Sequence, residues 1–170
     1  QAVLHLVRDR DDDVRRAAIE ILNQTKDIRA VDSLIEATRD SDWWVSERAA
    51  DALAEIGNRK AVPRMLEMLR GEARSIPTAL RALGKLGDPQ SLAAVVEHFH
   101  HPEPAVRAEA VAAAARLVDD TNAEAVRQSV RQLAVETSDM GLHNAALAAI
   151  EAIDARFSPS MIMAAQHARL

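Results

Sequence analysis

The chain repeats itself about every 31 residues. Two positions of the repeat are held by one residue type in three units each: Val14, Val45 and Val106, and Leu22, Leu53 and Leu83. Within the second unit, the apolar positions 45, 49, 52, 53 and 56 follow the spacing of one helical face. A repeat of this length indicates paired helices that cannot bury their apolar faces alone and therefore stack on their neighbours.

Each unit is predicted to hold two short helices. Asp42 suits the N-cap of the first helix in the second unit, and Gly57 suits its C-terminal end. Pro63 fits the first turn of the helix that follows, and Ser75 is the predicted N-cap in the third unit. The register drifts after Val118, where the fourth unit carries extra residues between its helices.

The sequence therefore predicts an all-α fold: one solenoid of about five helix pairs over residues 1–170. The predicted units are a leading half unit at 1–10, followed by 11–40, 41–71, 72–101, 102–137 and 138–170. Because the chain opens on the second half of a helix pair, we expect it to be a fragment of a larger protein. Alanine contributes 34 of the 170 residues, and small side chains let stacked helices approach closely.

Composition excludes several classes of protein. The chain is 48% hydrophobic, which argues against disorder, and its scarcity of aromatic residues argues against a sandwich or barrel. It contains no Cys, which excludes disulfides and thiolate sites. No apolar run reaches the roughly 18 residues that span a bilayer, and we expect a cytoplasmic protein without membrane contact. The net charge of −5 and the lack of a basic stripe disfavour nucleic acid as a ligand.

Three segments resemble a known repeat family. DDDVRRAA (11–18), ALAEIG (52–57) and AVPRMLEML (61–69) are similar to HEAT repeats, in particular the compact bacterial type called phycobilisome-lyase-like. The resemblance covers nearly the whole chain. It implies a right-handed α-α superhelix with the first helices on the convex side and the second helices on the concave side. It also implies that the concave helices bind other proteins, or in some members chromophores or nucleic acid.

On that expected concave face, the sequence predicts a partner-binding column. Its acidic members are spaced by 31 and 30 residues, and basic or apolar residues lie beside them. The candidate residues are Glu36, Glu67 and Glu97, with Arg64, Met68, His98 and Arg131. The acidic column would attract a basic peptide. The alternative is that the bases three residues on, Arg39, Arg70 and His100, neutralise it locally.

Trp43 and Trp44 interrupt the repeat at the start of one helix. Equivalent positions in other units hold Asp12 and Asp13, or Pro104 and Ala105. Trp is enriched in interface hot spots, so the pair is a candidate aromatic anchor. The alternative is a structural role, in which an indole covers the turn of the preceding unit.

No catalytic or metal-binding motif is present. His98, His100 and His101 end one helix without a second ligand cluster, and no His-Glu dipeptide of HEAT-like hydroxylases occurs. There is no nucleophile elbow and no phosphate-binding loop. We therefore expect no cofactor, no metal and no enzymatic activity.

The resulting hypothesis is a non-catalytic scaffold that binds a protein or peptide partner along its concave face. Two alternatives stay open. One is a subunit of bilin lyase type, although the predicted groove lacks the aromatic and basic residues that suit a tetrapyrrole with propionates. The other is a spacer solenoid whose groove holds no ligand. The sequence does not predict an oligomeric state.

Overall fold

A computed structural model describes residues 2–157 of the chain. Over these residues the chain forms ten α-helices, and short 3-10 turns precede most of the shorter ones. The described part of the chain contains no β-strand, and the all-α prediction is confirmed. Residues 158–170, the end of the predicted fifth unit, lie outside the described residues.

Contacts divide the chain into two compact units between Leu86 and Gly87. The first unit alternates long and short helices: α1 (Ala2–Leu6), α2 (Asp12–Thr25), α3 (Val31–Ala37), α4 (Trp43–Ile56), α5 (Val62–Met68) and α6 (Ile76–Leu86). Here α2 packs against α4 and α4 against α6, while α3 and α5 each contact the long helix that follows.

The second unit begins with the shortest of its helices and ends with the longest. Its helices are α7 (Leu92–Val96), α8 (Pro104–Leu117), α9 (Ala123–Glu136) and α10 (Met140–Arg156). A 3-10 turn at Glu97–His100 continues α7. Here α8 packs against α10, and α9 contacts both of them.

The core follows the predicted apolar stripe. Val45, Ala49 and Leu53 are fully buried and Ala52 is 1% exposed, whereas Ile56 at the end of α4 is half-buried. Burying a side chain the size of Leu53 stabilises the fold by about 1.5–3 kcal/mol. The small alanines of the stripe leave room for the neighbouring long helices to pack against α4.

The helix ends match the sequence in most places. The Asp42 carboxylate accepts a hydrogen bond from the Trp44 N–H at 3.0 Å, and Gly57 adopts φ 74° at the end of α4. Ser75 differs from its prediction as a cap, because it lies inside the 3-10 turn that precedes α6. Its hydroxyl instead donates to the Glu72 carbonyl at 2.8 Å.

Ion pairs join neighbouring repeats within the first unit. Their partners are separated by 25 to 30 residues in the sequence: Arg8–Glu36, Arg15–Asp40, Arg16–Asp42, Arg39–Glu67, Arg48–Glu20, Lys60–Asp32, Arg81–Asp51 and Glu55 with both Lys26 and Lys85. The Arg15–Asp40 pair is the most buried of these, with side-chain exposures of 11% and 12%.

None of the helices between residues 2 and 157 combines the length and apolar character that a membrane crossing requires.

Candidate functional site

The predicted acidic column is compensated by arginines of the preceding repeat. Arg8 pairs with Glu36, and Arg39 Nη2 lies 2.9 Å from Glu67 Oε2. The bases three residues after each Glu do not supply these contacts. Each Glu side chain is 56% exposed, but its charge is balanced across the repeat boundary. The column is therefore a set of ion pairs within the first unit.

The other column residues lie in the second unit. Glu97 is exposed at the start of the 3-10 turn after α7. His98 Nδ1 lies 3.0 Å from the Ala94 carbonyl oxygen, and its ring stacks on His101 with centroids 6.2 Å apart. Arg131 is exposed on α9. Between residues 2 and 157, no group of three or more His, Asp or Glu side chains is placed to hold a metal ion.

One cleft in the first unit brings several predicted residues together. We call it the Trp43 cleft, and its volume is about 260 Å³. It is bounded by the first turn of α4, by α5 and by the turn before α6. Its lining includes Thr38, Arg39, Trp43, Ser46, Glu47, Arg64, Glu67, Met68, Glu72 and Arg74.

The floor of the Trp43 cleft is fixed by hydrogen bonds to Thr38, which is 2% exposed. Arg64 donates from Nε to Thr38 Oγ1 at 2.7 Å and from Nη2 to the Thr38 carbonyl at 2.9 Å. The Ser46 hydroxyl donates to the same carbonyl at 2.7 Å. The Arg64 guanidinium is therefore held in one orientation, because hydrogen bonds to charged groups are among the stronger ones.

Arginines on two helices act on Glu67. Arg64 Nη1 donates to Glu67 Oε2 at 3.0 Å, and Arg39 donates to the same oxygen. The hydrogen bond from Arg64 and the nearby charge of Arg39 lower the pKa of the Glu67 carboxyl. Glu67 therefore stays ionised and holds the two guanidinium groups at one edge of the cleft.

The opposite edge carries an indole and a guanidinium. Trp43 is 50% exposed, and Arg74 Cζ lies 5.8 Å from its ring centroid, within the range of a cation–π contact. Arg74 Nε also donates to Glu72 at 3.0 Å. Glu47 lies between them in the lining, and burial together with the charge of Asp51 raises the pKa of its carboxyl. Raised carboxyl pKa values in clefts are typical of functional sites.

Two predicted residues have other surroundings. Met68 touches the cleft but is only 4% exposed, because its side chain packs in the core at the end of α5. It offers little of the accessible apolar surface that the sequence led us to expect. Trp44 is half-buried on a different side of α4, where Arg48 lies 5.8 Å from its ring.

The sequence reasoning separated Trp43 from Arg64 by assigning them to opposite faces. The structure places both in one cleft, because the first turn of α4 and the helix α5 border the same depression. Arg39, Arg74, Ser46 and Glu47 were also missed. One signal was available, since Thr38 is the polar member of a repeat position that otherwise holds Leu69 and Phe99.

Comparison with known proteins identifies the repeats. The sequence profile of HEAT repeats matches residues 1–76 and 77–155, which together are most of the chain. The chain belongs to the HEAT-repeat family. The HEAT solenoid fold and the phycobilisome-lyase-like type predicted from the sequence are confirmed.

Among curated proteins, the HEAT repeats of this chain are similar to phycocyanobilin lyase subunit alpha of Picosynechococcus sp. strain PCC 7002. The match is 34% identical over 84 residues, which is 49% of this chain and 30% of the relative. The chain thus spans less than a third of that relative's length. The relative is a subunit of a lyase, and this finding contradicts the prediction of a protein without enzymatic activity.

Solved structures agree on the fold. The complex of CpcE and CpcF of phycocyanin lyase from Nostoc sp. PCC7120 matches with a TM-score of 0.69 at 22% identity, covering 89% of this chain and 63% of that one. A designed armadillo repeat protein matches with a TM-score of 0.51 at 11% identity, covering 89% of this chain and 98% of the design. At these identities the HEAT-type solenoid architecture is shared.

Proposed function

We propose that this chain is a HEAT-repeat part of a bilin lyase, and that the Trp43 cleft receives one end of the bilin. The observation that carries the proposal is the half-exposed Trp43 indole beside Arg74, in a chain of which half is 34% identical to a phycocyanobilin lyase subunit. The proposal replaces the plain scaffold as the main hypothesis.

The chemistry of the cleft suits a tetrapyrrole carrying propionates. The flat face of an indole stacks on conjugated rings. Guanidinium groups bind carboxylates with two parallel hydrogen bonds. The Arg39 and Arg74 side chains are each 53% exposed, so both remain accessible although each pairs with a Glu. These are the aromatic and basic groups that the sequence reasoning did not find in the expected groove.

The size of the cleft limits what it holds. Its volume of about 260 Å³ is slightly below the roughly 300–1,000 Å³ of typical small-molecule pockets. We therefore infer that one end of an extended bilin enters, with the remainder outside. The Thr38–Arg64 hydrogen bonds support this role, because a floor already fixed before binding loses little conformational entropy when the ligand arrives.

The proposal includes a protein partner. The similar Nostoc lyase was solved as a complex of two proteins. We infer that this chain also works with a second polypeptide, which would cover the part of the bilin left outside the cleft. The basic peptide expected from the sequence has less support, since the Glu36 and Glu67 charges are already balanced by arginines.

The two tryptophans allow a direct test. Bilins absorb where indoles emit, so a bound bilin quenches the fluorescence of a nearby Trp. Titration of the Trp44→Phe variant, which retains Trp43, with phycocyanobilin should quench emission strongly. The Trp43→Phe variant retains Trp44 outside the cleft and should be quenched less at the same bilin concentration.

Arginine variants add the second arm. In the Trp44→Phe background, Arg74→Gln should weaken quenching by about ten-fold in bilin concentration, the equivalent of one charge-assisted hydrogen bond. Arg70→Gln is the matched control, because Arg70 is exposed on the same segment but does not line the cleft. Equal quenching in both single-Trp variants, or no quenching at all, would contradict the proposal and favour a spacer role.

A further inference from the structure

An apolar groove lies between α9 and α10 in the second unit, apart from the Trp43 cleft. It has a volume of about 690 Å³ and includes Val135, Met140, His143, Leu147 and Ile150 in its lining. Val135 is 85% exposed, Met140 67% and Leu147 50%. Large apolar side chains that share one groove in this way mark a surface that another element covers.

Equivalent positions in the other repeats show that this face belongs to the core. The position of Leu147 is held elsewhere by Ile19, Ala50 and Val111, and all three are fully buried. The position of Ile150 is held by Leu53 and Ala114, which are also fully buried. A difference of 50% in exposure at one repeat position requires a missing neighbour.

The missing neighbour is the element that follows α10. In the first unit, α4 packs against both the preceding long helix and the following one. Among the described residues, α10 packs against α8 and α9, which both precede it. Its remaining apolar side faces the groove. A small ligand such as a bilin does not account for this pattern, because the equivalent positions are covered by the chain itself.

We propose that residues 158–170 of the chain occupy the α9–α10 groove. The sequence SPSMIMAAQHARL follows Phe157 directly, and Ser158 and Pro159 suit the start of a helix. Met161 to Ala165 then form an uninterrupted apolar run. As a helix, 13 residues extend about 20 Å, enough to cover the roughly 15 Å of α10 between Met140 and Ile150.

Two further features favour this occupant over a separate molecule. A tethered segment has an effective concentration in the millimolar range, far above that of a second copy in dilute solution. A segment running back along α10 would bring Arg169 to the end of the groove where Glu136 and Asp139 are exposed. Charge and apolar pattern therefore favour the same direction.

The absence of Cys gives a clean background for a thiol-accessibility test. In the full chain, Leu147→Cys places one thiol in the groove. Ala148→Cys is the matched control, since Ala148 is exposed on the same helix and outside the groove lining. We expect the Leu147→Cys thiol to react with a maleimide about ten-fold more slowly than the Ala148→Cys thiol, as for a site reached through local opening.

Charges placed in the segment should release the groove. Adding Met161→Asp and Ile162→Asp should bring the Leu147→Cys rate up to that of Ala148→Cys, while the Ala148→Cys rate stays constant. A constant control rate also shows that the fold is intact. Protection that disappears on dilution would overturn the proposal by assigning the groove to a second copy. A fast Leu147→Cys reaction from the outset, or protection insensitive to both aspartates and dilution, would overturn it as well.

Discussion

Lys26 and Gly57 hold the same left-handed backbone conformation at the ends of α2 and α4, with φ of 48° and 74°. They are 31 residues apart, one repeat length, and Gly87 adopts φ 65° after α6. A residue with a Cβ pays about 1–2 kcal/mol for this conformation, which Gly adopts freely. Lys26 is therefore a strained member of an otherwise glycine position.

Lys26→Gly should raise the free energy of unfolding by about 0.5–1 kcal/mol, because relief of backbone strain exceeds the loss of an exposed ion pair with Glu55. Urea unfolding measures the change. Gly57→Ala is the reverse control and should lower stability by about 1 kcal/mol through the backbone alone, since an added Cβ there meets no atom within 4 Å. A stability loss in Lys26→Gly would show that the ion pair dominates.

Glu55 should make stability depend on acid. Hydrogen bonds from Lys85 and Lys26 lower the pKa of the Glu55 carboxyl from 4.5 to about 2. The stabilisation is therefore complete above pH 4.5 and is lost as pH falls towards 2. Because the carboxyl is 35% exposed, we expect a loss of no more than about 1 kcal/mol.

The measurement for Glu55 is the urea midpoint of the unmodified protein and of Glu55→Gln between pH 7 and pH 2.5. The difference between the two proteins should shrink as the pH falls, which removes the contribution of other carboxyls. A difference that stays constant over this range would mean that Glu55 does not gain stability from its two lysines.

Arg15→Met should destabilise the fold by about 3 kcal/mol, because it leaves the Asp40 charge largely buried without its partner. Arg15 donates to both oxygens of Asp40, at 2.7 and 3.1 Å. Arg29→Met is the control; Arg29 is 71% exposed in its pair with Asp27 and should cost less than about 1 kcal/mol. Combining Arg15→Met with Asp40→Asn should restore part of the loss, and strictly additive effects would argue against a coupled pair.

Arg64→Met should lower stability by about 2 kcal/mol, since it removes charge-assisted hydrogen bonds to the buried Thr38. Arg70→Met, on the exposed end of the same segment, should change stability by less than about 0.5 kcal/mol. Thermal or urea unfolding of both variants compares them directly. Similar effects at the two positions would mean that Arg64 does not organise the cleft floor.

Much of the fold could be predicted because it depends on local pattern. Asp42 caps its helix and Gly57 ends it, as the spacing of the apolar residues indicated. Helical periodicity identified Val45 and Leu53 as buried before any contact was known. Ser75 shows the limit of local reasoning, since a 3-10 turn displaced it from the capping position.

The candidate site could be predicted less well because it depends on neighbours that are distant in the sequence. Local spacing suggested that Arg70 would balance Glu67, but Arg39 of the preceding repeat does so. Trp43 and Arg64 were assigned to separate faces, although they border one cleft. In both cases the decisive contact joins residues about one repeat apart, and a helical pattern carries no information on that separation.

The ion pairs that join adjacent repeats have a consequence for how such a chain grows. Donor and acceptor occupy different positions of the repeat, so an Arg8–Glu36 contact recurs one unit later as Arg39–Glu67. A gene duplication that inserts one more copy of the repeat supplies a new donor to the next unit and a new acceptor to the previous one. The lineage can lengthen or shorten its array by whole units without leaving a charge unmatched at the junction.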